Sequence, residues 1–67
     1  METLNAFQLR RATHGGRKVS FMHDGQQVVG ILDKPIIPNT PGYDRAFLTL
    51  DNGNVYTVSK TTLVEVY

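Results

Sequence analysis

Two turn signals constrain this chain more than any other feature. Asp24-Gly25 and Asp51-Asn52-Gly53-Asn54 are clusters of residues that accept positive φ, and each is flanked by runs of β-forming side chains. Ahead of the first, Lys18-Val19-Ser20-Phe21-Met22 alternates, with Val19 and Phe21 on one side. Behind it runs Gln27-Val28-Val29-Gly30-Ile31-Leu32, whose near-continuous apolar character predicts burial on both faces. Gly30 in its middle predicts a bend or a close backbone approach. Ala46-Phe47-Leu48-Thr49-Leu50 and Val55-Tyr56-Thr57-Val58 flank the second turn, with Phe21 and Phe47 expected in the core. A Ser59-Lys60-Thr61-Thr62 link reads as one 3₁₀ turn before a last strand, Leu63-Val64-Glu65-Val66-Tyr67.

The rest of the chain reads differently. Residues 3–12 are good helix formers, with Thr3 as N-cap and Leu4 and Phe7 on one face; Gly15-Gly16 would end a helix over about residues 3–13. All three prolines fall between Lys34 and Arg45, so residues 34–45 read as a long loop and not as a central strand. Loops of that length in small domains tend to carry function, and Ile36, Ile37 and Tyr43 make this one partly apolar.

With 67 residues the chain is one domain, near the lower limit for a self-sufficient core. Small folds obtain support from disulfides, metals or association. There is no cysteine, and His14 and His23 alone offer no standard zinc spacing, so self-association is the expected support and no metal or cofactor is expected. Cysteine absence and the lack of an apolar run near the roughly 20 residues of a membrane span point to a cytoplasmic chain with no membrane partner. Charge is uneven. Residues 1–23 hold four Lys/Arg against one acid, giving +3, and residues 24–67 hold three against five, giving −2. A basic end on a near-neutral body attracts phosphate; cations at a helix C-terminus are the plainer explanation of the same residues.

Helix about 3–13, then five short strands over about 17–67 with one long loop, predict a mainly β fold: a small five-stranded SH3-like or Sm-like barrel behind a short N-terminal helix. Several residues resemble the Sm-like proteins, and the bacterial RNA chaperone Hfq family in particular. Leu4-Asn5-Ala6 followed by Arg10-Arg11 resembles that family's helix. Val19-Ser20-Phe21 with Asp24-Gly25 resembles its first strand and turn, Val29-Gly30-Ile31 its glycine-bent second strand, and Val55-Tyr56 the start of its fourth. The resemblance implies a ring of subunits that binds RNA, with Arg10, Arg11, Arg17 and Lys18 near its rim or helix face. The chain departs from the family at Tyr56-Thr57-Val58, where the pore motif is Tyr-Lys-His, and in its much longer loop.

No catalytic signature is present. Ser20 and Ser59 have no histidine at motif spacing, and Gly15-Gly16-Arg17-Lys18 lacks the strand before and helix after that make a phosphate loop work. His23 and Asp24, adjacent at a strand end, are expected on opposite faces. Type II dihydrofolate reductases are similarly short barrels, but their pore motif has no match here. The sequence therefore predicts a non-enzymatic binder of RNA or a small nucleotide. Arg10, Arg11, Arg17 and Lys18 form its phosphate face, and Tyr43, Arg45, Tyr56 and Lys60 are base or phosphate contacts. The alternative is a protein-interaction module, of the kind phage or mobile elements encode, that inhibits or adapts a host protein through the proline-rich loop. A sponge for a signalling nucleotide combines the two.

Overall fold

Alternation in Ala46–Leu50 sets the geometry of the whole sheet. Ala46, Leu48 and Leu50 are buried while Phe47 and Thr49 lie on the opposite face, as a period of two requires. In the computed structural model, which describes residues 1–67, six antiparallel strands form one open sheet. They are β1 (Glu2–Asn5), β2 (Lys18–His23), β3 (Gln26–Ile36), β4 (Arg45–Leu50), β5 (Val55–Ser59) and β6 (Leu63–Val66), in the order β1-β6-β2-β3-β4-β5. Val19 and Phe21, Leu32, Val58, and Val64 and Val66 join the β4 residues in one core, which Ala6 and Leu9 complete.

Both turns form where the sequence puts them. Asp24 (φ 51°) and Gly25 (φ 78°) are both left-handed, the two-residue turn whose twist suits a hairpin, and His23 pairs with Gln26 across it. At the second turn Gly53 has φ 87°, and the Asn52 side chain accepts the Asn54 N–H. The Ser59–Thr62 link is a single turn closed by the Thr62 N–H to the Ser59 carbonyl.

The N-terminal segment is not the expected helix. Residues 2–5 are a strand on β6, followed by a 3₁₀ turn (Ala6–Gln8) and α1 (Arg11–His14), which ends at Gly15. A short isolated helix is marginal in water, whereas the free edge of β6 offers Glu2–Asn5 a complete ladder of partners. Thr3 is therefore a strand residue opposite Glu65 and caps no helix. The sheet has six strands and not five for the same reason.

β3 corrects two further expectations. It is not buried on both faces: Val29 and Ile31 are exposed, because the first half of the strand has solvent on its outer side. Its 11 residues serve two neighbours in turn, pairing with β2 as far as Ile31 and with β4 from Leu32 onward. The register shifts between Leu32 and Lys34, so Asp33 is the irregular residue there. Gly30 instead marks a close approach, since a Cβ there would stand 2.8 Å from Leu50 Cδ1. Pro35 lies inside β3, opposite Leu48, and not in a loop. It is tolerated because β2 pairing has ended by then, leaving that half of β3 with a vacant side. The loop proper is residues 37–44. Phe47, expected in the core, sits half-buried on the outer face under Tyr43.

Candidate functional site

Three cations predicted from the sequence converge on one cleft of about 570 Å³. Its first wall is the turn that joins β1 to α1, contributing Phe7, Leu9, Arg10 and Arg11. The second wall is the end of β3 and the start of the loop, with Pro35, Ile37, Pro38 and Asn39. Lys60 connects them: its carbonyl accepts the Phe7 N–H at 3.1 Å, and its ammonium donates to the Pro38 carbonyl at 2.8 Å. Its own N–H bonds the Asp44 carbonyl at 2.7 Å, holding the far end of the loop.

Local backbone geometry fixes one of the cations and leaves another free. The Arg10 guanidinium donates to the carbonyls of Phe7 (3.0 Å) and Leu9 (2.9 Å) through one nitrogen, so its remaining N–H groups are held in a defined place. Arg11 makes no side-chain hydrogen bond or ion pair. The cleft contains no carboxylate, so nothing within it neutralises Arg10, Arg11 and Lys60. Phe7, 41% exposed, adds an aromatic surface. The segment is anchored beneath by buried His14, whose Nδ1 accepts the Arg10 N–H at 2.9 Å and whose Nε2 lies 3.8 Å from a Glu2 carboxylate oxygen.

The other predicted residues lie elsewhere. Arg17 donates twice to the Tyr67 carbonyl, at 3.1 and 2.9 Å, and the Lys18 ammonium stands 5.2 Å from the centre of the Tyr67 ring. Both lie at Tyr67 and are not in the cleft. Tyr43 stacks on Phe47 (6.4 Å, 29° between planes) and remains 41% exposed. Tyr56 is half-buried, in edge contact with Phe21 at 5.6 Å and His23 at 5.2 Å, which leaves little of its ring for a base.

Arg45 lines a second, smaller cleft of about 380 Å³ with His23, Asp24, Thr57 and Ser59. His23 and Asp24 are not on opposite sides: the left-handed Asp24 turns its carboxylate back to within 3.8 Å of the imidazole. That carboxylate makes the second cleft mixed in charge where the first is purely basic.

Phe7 was not legible as a site residue, and Pro35 and Pro38 were read only as part of the proline-rich loop through which a protein partner would act. Phe7 read as sharing one face of a helix with Leu4; in the structure it belongs to the 3₁₀ turn that follows β1 and is exposed. Comparison of the chain with protein-family models, with curated proteins and with solved structures finds no match to any of them.

Proposed function

We propose that this chain is a non-catalytic binding module that holds a phosphate-bearing ligand, a nucleotide or single-stranded RNA, in the Arg10/Arg11/Lys60 cleft. The observation that carries the reading is three cations around a cleft with no carboxylate. Clustered cations beside a low-dielectric wall raise the local positive potential more than the same charges dispersed. The volume falls within the roughly 300–1,000 Å³ of small-molecule sites. Titration of a fluorescent single-stranded RNA at several salt concentrations tests it. Three phosphate contacts give a log–log salt slope of about −2, and Arg11→Ala flattens it by about 0.7. Salt-independent binding contradicts the proposal.

A small barrel of the SH3-like or Sm-like type is part of this reading. It is supported by the order β6-β2-β3-β4-β5 and by the long β3, which is shared between two sets of neighbours through its irregular Asp33. Self-association is supported by the outer face of β6, β2 and β3, where Leu63, Met22 and Val29 are each more than half exposed. Native mass spectrometry of the whole chain should give an oligomer, and a monomer at every concentration would remove that element.

One observation favours a protein partner as the second reading. Ile36, which pairs with Phe47, and Tyr43, which stacks on it, make an exposed apolar cluster beside the loop. Ile36→Ser with Tyr43→Ser should abolish capture of such a partner while leaving RNA binding intact. Loss of RNA binding with capture retained would sink it.

A further inference from the structure

Cations that serve a nucleic-acid polymer form a track, with successive phosphates meeting successive side chains along a groove. This molecule has no such track. Arg17 and Lys18 lie at Tyr67, Arg45 lies in the separate mixed-charge cleft, Lys34 is exposed on β3 and lines neither cleft, and Arg10, Arg11 and Lys60 are the three that line one cleft together. That surface ends on both sides in apolar or neutral groups: Phe7 and Leu9 on one wall, and the proline-bearing β3 end on the other. From this local, walled cluster we infer that the cleft takes a free nucleoside diphosphate and not an RNA strand, with its diphosphate between Arg11 and Lys60 and its base on Phe7.

The inference rests on the proposed function and narrows its ligand. Three formal positive charges match the roughly three negative charges of a nucleoside diphosphate at neutral pH. The Arg10 guanidinium already has one nitrogen committed to two carbonyls, so its other nitrogens remain as donors and a ligand avoids much of the entropy cost of ordering a free side chain. The Lys60 ammonium uses one of three donors on Pro38, and two remain. Phe7 offers a π-face that any base can use, which makes the site selective for the diphosphate and tolerant of the base.

Calorimetric titration of the full chain with ADP, inorganic pyrophosphate and a 5′-hydroxyl single-stranded RNA of about 12 nucleotides separates the possibilities. ADP should bind more tightly than pyrophosphate and far more tightly than the RNA. Arg11→Ala should weaken ADP at least about tenfold, the loss of one charge-assisted contact. Phe7→Ala should weaken ADP by about fivefold or more, the loss of one stacked base, and leave pyrophosphate unchanged, which also reports that the variant is folded. RNA binding without ADP binding overturns the inference and leaves the proposed function standing. Failure of all three ligands overturns both. ADP binding that Phe7→Ala does not alter removes the base platform.

Discussion

Gly30 shows how one missing methyl group permits the fold. The backbone of β3 lies against the Leu50 side chain, and a Cβ at 2.8 Å would displace a leucine that is 2% exposed and has little room to move. Gly30→Ala should therefore destabilise the chain by about 1–3 kcal/mol, the usual cost of overpacking, measured by urea unfolding. An unchanged midpoint would mean that Leu50 repacks freely. Tyr67 makes a prediction of another kind. Its phenol donates to Glu65 at 3.1 Å, and that hydrogen bond, followed by desolvation and the carboxylate's charge, raises its pKa above 10.0. Because the folded-state pKa is raised, the contribution to stability is present below about pH 10 and is lost as pH rises through the raised value. Titration of the Tyr67 phenol should find its pKa raised, and Glu65→Gln should lower it. At this scale the sequence spoke clearly wherever backbone sterics decide, as at Asp24, Gly25 and Gly53. It was silent on Phe7, whose exposure depends on which element it joins.

Among the elements, the hairpins were legible because their information is local: two left-handed residues between β-formers admit few other conformations. The N-terminal segment was not, because its helix propensity of a few tenths of a kcal/mol per residue competes with a ladder that only the folded β6 supplies. β3 lay between these cases. Its apolar run was visible, but no local signal shows that its partner changes from β2 to β4 near Asp33, or that Pro35 would fall on an unpaired side. The three bonds made by Lys60 to Phe7, Pro38 and Asp44 join the loop to the β5–β6 link and to the cleft's first wall. Lys60→Met keeps the stem and removes the ammonium. It should cost about 1–2 kcal/mol and speed amide hydrogen exchange at residues 37–44 before the rest of the chain. Unaltered exchange there would show that the Lys60 ammonium does not hold the loop.

Across the whole molecule, the sequence's charge asymmetry survives folding but is partitioned. The basic N-terminal third splits into Arg10 and Arg11 at the cleft and Arg17 and Lys18 at Tyr67, and Lys60 from the less basic remainder completes the cleft. The convergence of residues 50 positions apart was beyond sequence reasoning, since it follows from the Phe7–Lys60 backbone bond. The cleft and the exposed Leu63, Met22 and Val29 of β6, β2 and β3 are different surfaces, so the proposed ligand binding and the proposed self-association would not compete. The proposed function places the anion in the Arg10/Arg11/Lys60 cleft. The most direct measurement is a ¹H–¹⁵N correlation spectrum recorded during titration with ADP. Saturable shifts should concentrate at residues 7–11, 37, 39 and 60. Shifts concentrated at His23, Arg45 and Ser59, or no saturable shifts either with ADP or with single-stranded RNA in its place, would contradict it.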